Sequence, residues 1–174
     1  MITTIDHIVD EFYGKTMIAM TSMPADPLHP GHISCLQSMR SCVDEYQIEH
    51  MMVGNFITVC VVNDDDFLIN KKGYAFMPLV DRMSIIDSID NGCDYVAPFT
   101  PSNPKDMTVV EAIRKLKPDY FLKGGDRKAD STLPEWDVCQ ELGCVIIDGV
   151  GADKVWSSRN YLNEYAKFVM YNCK

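Results

Sequence analysis

Continuously apolar runs alternate with amphipathic stretches along most of the chain. Residues 56–62 (FITVCVV) form one such run, which is typical of a strand covered on both faces. Residues 33–46 instead carry apolar side chains at helical spacing. The same criteria predict five strands, at residues 16–20, 56–62, 94–97, 119–123 and 144–147.

Helical patterns separate these strands. The predicted helices cover residues 4–12, 33–46, 79–89, 107–116, 133–142 and 157–170. Strands that alternate with helices, and that are apolar throughout, predict a parallel sheet built from βαβ crossovers. We therefore expect an α/β fold, a Rossmann-like three-layer sandwich with a five-stranded parallel sheet. Residues 1–15 form a helical extension before the domain at residues 16–174.

Polar residues cluster where the predicted strands end. In an open parallel sheet the ligand lies beyond the carboxyl ends of the strands. Those ends carry the histidines of DPLHPGHI, the turn at residues 63–66, the KGGD string at residues 123–126 and the serine pair at residues 157–158. The sequence therefore predicts one binding site at this edge of the sheet.

The histidine motif places His29 and His32 three residues apart around Gly31, at the start of a helix. Free N–H groups and the helix dipole favour an anion there, and a glycine allows a phosphate to approach the backbone. Two imidazoles at this spacing can donate to one phosphate. The plain alternative is a Pro-Gly turn in which the histidines only cap the helix.

Basic residues follow the second predicted strand. Lys71 and Lys72 fall in a segment that reads as a loop able to fold over the site, and Arg82 stands at the start of a helix. Each of the three would otherwise be an ordinary surface charge.

The KGGD string and the serine pair complete the set. Paired glycines at a strand end let the backbone wrap a base or ribose, while Asp126 can accept hydrogen bonds from it. Ser157 and Ser158 could cap a helix or bind a terminal phosphate.

Composition narrows the class of function. A net charge of −9 disfavours broad nucleic-acid binding but permits a local site for a small anion. Seven scattered cysteines without a CxxC pair argue against a disulfide framework and a zinc site. The chain has no long apolar run, and its first residues are acidic where a signal peptide is basic, so we expect a cytoplasmic protein without membrane contact.

Four motifs in this order resemble the HxGH nucleotidyltransferases of the cytidylyltransferase-like superfamily. They are ADPLHPGH, VNDD followed by KKG and Arg82, PDYFLKGGD, and VWSSRNYL. The run is most similar to the heptose 1-phosphate adenylyltransferase domain, with glycerol-3-phosphate cytidylyltransferase as the next neighbour. Two departures stand out. The family often has Gly-x-Phe-Asp before the histidines, where this chain has Pro24-Ala25-Asp26 and so lacks the Phe and one N–H, and Arg159 stands in place of a third hydroxyl after the serines.

The resemblance implies a reaction in which a phosphate of the acceptor attacks the α-phosphorus of a nucleoside triphosphate and releases pyrophosphate. Its catalytic residues would be His29, His32 and Lys72. The nucleotide-binding residues that it implies are Asp26, Gly31, Asn63, Asp65, Arg82, Lys123, Gly124, Gly125, Asp126, Ser157, Ser158 and Arg159. Mg²⁺ would arrive with the triphosphate, no metal ligand is assigned in the protein, and family habit favours a homodimer.

Several alternatives stay open at this point. The acceptor would be a phosphorylated sugar or polyol, with a heptose 1-phosphate favoured, but the sequence does not decide between ATP and CTP. The chain could also be a glycerol-3-phosphate cytidylyltransferase, or a nucleotide-binding regulator with weak catalysis. An aminoacyl-transfer relative is a further possibility, although no KMSKS-like loop is visible.

Overall fold

The computed structural model describes residues 1–125, 128–153 and 157–172. Within these ranges five parallel strands form one sheet in the order β3-β2-β1-β4-β5. The strands are β1 (Met17–Met23), β2 (Phe56–Asn63), β3 (Tyr95–Phe99), β4 (Tyr120–Gly124) and β5 (Val145–Val150). The helices are α1 (Ile5–Phe12), α2 (Pro30–Glu49), α3 (Asp65–Lys72), α4 (Leu79–Asp87), α5 (Val110–Leu116), α6 (Trp136–Leu142) and α7 (Ser158–Asn172). The predicted fold class is confirmed.

Two apolar layers hold the sheet between helices. One face packs against α1, α5 and α6, and the other packs against α2 and α4. Both faces of the central strands are buried, as the unbroken apolar runs predict: Val59, Cys60, Val61 and Val62 of β2 are all fully buried. The open end of this sandwich lies at the carboxyl ends of β1, β2 and β4.

The predicted N-terminal helix is present and covers one face of the sheet. Thr4 caps it, because its hydroxyl oxygen accepts a hydrogen bond from the His7 N–H at 3.2 Å. Ile5 and Ile8 are buried in the same core as the strands. Ahead of the helix, Ile2 pairs in parallel with Val96, so residues 1–3 lie along the outer edge of β3.

Strand β3 differs from its prediction because it continues through Pro98 to Phe99. A proline lacks the N–H that a central strand needs, so the sequence suggested an end at residue 97. The strand is the last in the sheet order, and edge strands tolerate proline. Pro98 still pairs with Val62 in the register of the sheet.

Helix α3 is the element that the sequence interpretation missed. The turn at residues 63–66 and the lysine loop are instead a helix from Asp65 to Lys72. Asp64 caps this helix by accepting the Phe67 N–H at 2.8 Å, and Gly73 ends it in the left-handed conformation with φ of 85°. Lys71 and Lys72 therefore lie in the last turn of a helix.

The histidine motif spans the start of α2, since the helix begins at Pro30, three residues before its predicted start, with His29 as its N-cap and His32 in its first turn. Proline suits the first position of a helix because its missing N–H would have no partner there. Among the helices of the described ranges, none is long and apolar enough to cross a bilayer.

Candidate functional site

A cavity of about 400 Å³ opens at the carboxyl ends of β1, β2 and β4. Its wall combines the first turn of α2, the ends of these strands, and the segments that lead into α5 and α6. The polar and charged residues that line it are Thr21, Ser22, His29, His32, Asn63, Lys71, Thr108, Lys123 and Glu135. This is the edge at which the sequence predicts a ligand.

The two histidines of the motif lie side by side at the start of α2. His29 is the N-cap, and its Nδ1 accepts a hydrogen bond from the Gly31 N–H at 3.1 Å. The Nδ1 of His32 accepts from the His29 N–H at 3.3 Å. The centroids of the two rings are 3.8 Å apart. The capping hydrogen bonds of the alternative, in which the histidines only cap the helix, are thus present. They also fix the orientation of both rings.

These contacts select one tautomer of each ring. A neutral imidazole whose Nδ1 accepts a hydrogen bond carries its proton on Nε2, so both histidines are donors at Nε2. Burial lowers the pKa of His32 to about 3, with further contributions from His29 and the positive charge of Lys72. His32 is therefore a neutral hydrogen-bond donor at neutral pH.

Two glycines keep this end of α2 compact. A Cβ on Gly31 would lie 3.0 Å from Cε1 of His29 and would displace that ring. A Cβ on Gly124 would lie 3.0 Å from Sγ of Cys35, in the second turn of α2. Larger residues at either position would therefore move the histidine turn relative to the sheet.

Asp26 precedes the histidines, but it does not line the cavity. The residue is fully buried, and its two carboxylate oxygens accept the N–H groups of Phe76 and Met77 at 3.0 and 2.7 Å. Its carboxylate ties residues 24–29, here called the histidine loop, to the segment before α4. Asp26 thus makes a scaffold contact, and the nucleotide contact that the resemblance implies stays a prediction.

The two lysines of α3 divide between scaffold and cavity. The Nζ of Lys72 donates to the carbonyl of Asp26 at 2.9 Å, and burial lowers the pKa of Lys72 although Asp26 opposes this shift. Lys71 lines the cavity and Lys72 does not. Lys71 was not among the residues assigned to the site from the sequence.

Arg82 is fully buried, in contrast to an ordinary surface charge. Its guanidinium donates to the carbonyls of Met77, Pro24 and Asn63 at 2.9, 2.6 and 2.8 Å, and to the Asp65 carboxylate at 2.6 Å. One side chain thereby joins the ends of β1 and β2 to α3 and α4. Neither Arg82 nor Asp65 reaches the cavity, so both contribute to its frame.

Asn63 ends β2 and faces the cavity directly. The residue is 2% exposed, and its Nδ2 has no hydrogen-bond partner among the residues that the structure describes. A buried amide without a partner is uncommon in folded proteins and calls for a ligand or water at that position.

The end of β4 presents Lys123, Gly124 and Gly125 to the cavity. Gly125 has φ of 76°, a conformation that favours glycine. Nζ of Lys123 lies 3.8 Å from Oε2 of Glu135 and 4.8 Å from the centroid of the Phe121 ring. The assigned Asp126 lies outside the described residues.

The serine pair lies beside the histidine loop at the start of α7. The Ser158 hydroxyl donates to the carbonyl of Pro27 at 2.8 Å, and the Ser157 hydroxyl bonds to the side chain of Asn160. Arg159 is exposed on the same turn. None of these three lines the cavity in this conformation.

Sequence reasoning missed several residues of the cavity wall, above all Lys71, Thr108 and Glu135. The signal for Lys71 was available, since Asp64 and Gly73 bracket a short helix. Nothing in the sequence marks Glu135, which precedes α6 as acidic residues often precede helices. Within the described residues, no group of three or more His, Cys, Asp or Glu could hold a metal ion.

The fold and the site together define a class. A doubly wound parallel sheet carries, after its first strand, a helix whose start presents two adjacent imidazoles beside a glycine turn, with both Nδ1 atoms accepting backbone N–H groups. This arrangement suits a phosphate group, and with the HxGH motif it is that of a nucleotidyltransferase.

Comparison with known proteins gives the family. The family model described as cytidylyltransferase-like matches residues 25–147, so the chain belongs to the cytidylyltransferase-like family. The protein called bifunctional protein HldE from Desulfatibacillum aliphaticivorans is 33% identical over 149 residues, covering 84% of this chain and 26% of that protein. HldE from Haemophilus influenzae strain PittGG is 31% identical over 130 residues, covering 74% of this chain and 24% of that protein.

The chain thus spans about a quarter of the length of the curated relatives that it matches. A solved structure of a lipopolysaccharide core biosynthesis protein from Thermoplasma volcanium GSS1 has a TM-score of 0.54 and 19% sequence identity. The match covers 80% of this chain and 98% of that one, and at this identity it shows a shared fold.

Proposed function

We propose that this protein transfers a nucleoside monophosphate from ATP or CTP to a phosphorylated sugar or polyol and releases pyrophosphate. A sugar 1-phosphate of the heptose type is the favoured acceptor, because HldE proteins recur among the relatives at about 30% identity. Glycerol 3-phosphate is the next acceptor to test, since the motifs also resemble those of glycerol-3-phosphate cytidylyltransferase.

The observation that supports this proposal best is the pair of adjacent imidazoles at the start of α2. Their rings lie 3.8 Å apart, and backbone N–H groups occupy both Nδ1 atoms. Both Nε2–H groups are therefore fixed as donors before any ligand binds. Donors that are already oriented need no reorganisation when charge develops on a phosphate during the reaction.

In the proposed reaction, an oxygen of the acceptor phosphate attacks the α-phosphorus in line. The new O–P bond forms as the bond to the bridging oxygen of the β-phosphate breaks, and pyrophosphate leaves with that electron pair. Such a step requires positioning and charge stabilisation more than proton transfer. The histidine donors would stabilise the oxygens of the α-phosphate as the phosphorus becomes crowded.

Other residues would position the triphosphate. Lys71 supplies a positive charge on the cavity wall, and Lys72, the next residue of α3, donates to the carbonyl of Asp26 ahead of the histidines. We propose that Gly124 and Gly125 hold the nucleoside, while Ser157, Ser158 and Arg159 bind the terminal phosphates after a rearrangement at the start of α7. Mg²⁺ would enter with the nucleotide and supply positive charge at the phosphates.

The test is pyrophosphate release with ATP and with CTP, each against a heptose 1-phosphate, other sugar 1-phosphates and glycerol 3-phosphate. His32→Asn is the informative variant. The Asn oxygen can take the place of Nδ1 as acceptor for the His29 N–H, but the Nε2 donor is lost. We expect a loss of kcat of about two to three orders of magnitude, as for other single donors of this type.

His50→Asn is the matched control, because this exposed histidine lies at the opposite end of α2. It should leave turnover unchanged. Equal turnover in His32→Asn and the wild type would refute the assigned mechanism. Tight nucleotide binding without pyrophosphate release for any acceptor would instead favour a regulatory nucleotide-binding module.

We propose further that the protein forms a homodimer through α7. Tyr161, Tyr165 and Phe168 share one face of this helix and are 43%, 61% and 57% exposed. Two copies that each carry a net charge of −9 repel one another, so they would associate through an apolar, weakly charged face of this kind. A second copy of the chain is the occupant that suits it.

Sedimentation velocity tests this proposal. Phe168→Glu should convert the dimer to a monomer, while the neighbouring Lys167→Ala should leave the dimer intact. A wild-type protein that sediments as a monomer at high micromolar concentration would contradict the proposed dimer and leave the proposed reaction untouched.

A further inference from the structure

The closing helix α7 contacts the histidine loop through its first turn. Ser158 is buried there, whereas the helix is exposed from residue 163 to residue 172. The Ser158 hydroxyl donates to the carbonyl of Pro27 at 2.8 Å, and the ring of Tyr161 stacks against the ring of His29 with 6.5 Å between the centroids. Two side chains of α7 thus touch the loop that carries the first histidine of the motif.

Tyr161 faces the histidine loop because of its place on the helix. It follows Ser158 by three residues, and residues three apart lie on the same side of a helix. The hydrogen bond of Ser158 therefore turns the tyrosine ring towards His29. The two ring planes are inclined by 27°, and the distance between the centroids lies in the range of interacting aromatic pairs.

The ring of His29 is held by contacts from two helices. Within α2, its Nδ1 accepts the Gly31 N–H at 3.1 Å, and its centroid lies 3.8 Å from that of His32. These contacts belong to a single turn, so they move together with it. Tyr161 belongs to α7, so its contact fixes the His29 ring relative to a different element of the fold.

The orientation of the His29 ring matters for the proposed reaction, because a hydrogen bond weakens steeply as its angle becomes less linear. An Nε2–H group that already points at the α-phosphate stabilises the developing charge without reorganisation. A ring with more rotational freedom would lose part of this stabilisation, while the rest of the site would still bind the nucleotide. A contact that restricts this rotation therefore affects kcat more than KM.

We propose that Tyr161 is a positioning residue, which orients the imidazole of His29 towards the α-phosphate of the nucleotide by ring stacking. This inference rests on the proposed function, because it assumes that His29 donates to that phosphate. Tyr161 does not line the cavity, so it acts through His29 and not on the substrate itself.

Steady-state kinetics of pyrophosphate release test this role. Tyr161→Ala removes the ring, and we expect kcat to fall about twofold to tenfold while the KM for the nucleotide changes little. Tyr161→Phe keeps the ring and removes only the hydroxyl, so it should retain the kcat of the wild type. A residue with a merely structural role would not combine a selective loss of kcat with rescue by phenylalanine.

Nitrogen NMR provides a second measurement that needs no turnover. The ¹⁵N chemical shift of His29 Nδ1, recorded at pH 8 without substrate, reports whether this atom accepts a hydrogen bond. The His29→Asn variant identifies the signal, because it alone lacks it. In Tyr161→Ala the shift should move towards that of an imidazole without this hydrogen bond, and in Tyr161→Phe it should keep the wild-type value.

Two tyrosines further along α7 serve as comparisons. Tyr171→Ala is the matched control, since this side chain is 81% exposed near the far end of the helix. It should leave both kcat and the His29 signal unchanged. Tyr165→Ala alters the face of α7 that we propose for the dimer. An equal loss of kcat in Tyr165→Ala and Tyr161→Ala would overturn the inference, because the effect would then come from the dimer.

A wild-type kcat in Tyr161→Ala also overturns the inference, as does a reduced kcat with an unchanged His29 signal or without rescue by Tyr161→Phe. If Tyr161→Ala does not fold, Tyr161→Leu takes its place, since leucine keeps an apolar side chain and lacks the ring. If no combination of nucleotide and acceptor releases pyrophosphate, the proposed function fails, and the His29 signal alone decides whether Tyr161 orients this ring.

Discussion

Two groups of buried polar side chains lie at and next to the cavity, and they differ in how many of their polar atoms have hydrogen-bond partners in the protein. In the anchoring cluster of Asp26, Arg82 and Ser158, both Asp26 oxygens, the guanidinium and the serine hydroxyl all have short protein partners. At the wall of the cavity, Nδ2 of Asn63 and Oε2 of Glu135 have no hydrogen bond among the residues that the structure describes.

This difference distinguishes buried polar residues that stabilise the fold from those at the cavity wall. Burial of a charged or polar group costs free energy in either place, and hydrogen bonds offset that cost in the anchoring cluster. At the cavity wall, no hydrogen bond within the described residues offsets this cost for Nδ2 of Asn63 and Oε2 of Glu135. Completeness of the partner set therefore tells more about the role of a buried polar residue here than its distance from the cavity.

The largest expected effect is that of Arg82→Met. This change leaves the Asp65 carboxylate and the carbonyls of Pro24, Asn63 and Met77 without their donor. We expect a loss of about 3–5 kcal/mol in the free energy of unfolding, measured by urea denaturation. Arg114→Met, at an exposed pair with Glu141, should leave the midpoint unchanged.

If the urea midpoint of Arg82→Met equals that of the wild type, the anchoring cluster does not stabilise the fold, and the contrast between the two groups of side chains fails. If it retains its fold and loses nucleotide affinity, Arg82 belongs to the binding site, as the sequence resemblance implied.

A smaller effect concerns the pH dependence of stability at His32. The pKa of this group is about 3 in the folded protein, below the usual value of 6.5, so the unfolded chain binds the extra proton between these values. Its contribution to stability is complete above pH 6.5 and is lost as the pH falls towards 3. At pH 5 this loss is about 2 kcal/mol.

Unfolding curves of the wild type and of His32→Asn at pH 7.5 and pH 5 measure this contribution. The wild type should lose more stability than the variant over this interval. Equal losses would mean that His32 titrates normally, and its assignment as a neutral donor in the cavity would fail.

The smallest effect is expected from Ser158→Ala. The change removes one hydrogen bond to the Pro27 carbonyl, which is worth about 1 kcal/mol of stability. If the hydroxyl also binds a phosphate during the reaction, the KM for the nucleotide rises while the unfolding midpoint moves only slightly. A change confined to the midpoint would place Ser158 wholly in the anchoring cluster.

Most of the fold could be predicted because burial dictates the apolar pattern. The strand Phe56–Asn63 is apolar on both faces, and its neighbours follow the same rule. Helix α3 was missed because its polar sequence DDFLINKK lacks a clear apolar stripe and is defined by its caps. Strand β3 was shortened because the sequence does not show that Pro98 lies at an edge, where its missing N–H is tolerated.

The site was predictable only in part. The histidine pair follows from a local motif, and its spacing does bring the two rings together. The nucleotide roles of Asp26 and Arg82 stay predictions, but the sequence gives no hint that either charge is fully buried among backbone groups. Glu135 lies 72 residues from Asn63 along the chain (135 minus 63), so only the folded protein reveals that both line one wall.

The first three residues have a consequence for assembly. The Thr3 N–H donates to the Val96 carbonyl at 2.9 Å, and the Val96 N–H donates to the Met1 carbonyl at 3.0 Å. These two hydrogen bonds lie on the outer side of β3. Pro98, two residues further along β3, has no N–H to give. Another chain that adds to the edge of the sheet therefore finds little of the backbone ladder of β3 itself available for β-augmentation, which is how edge strands commonly recruit partners or aggregate.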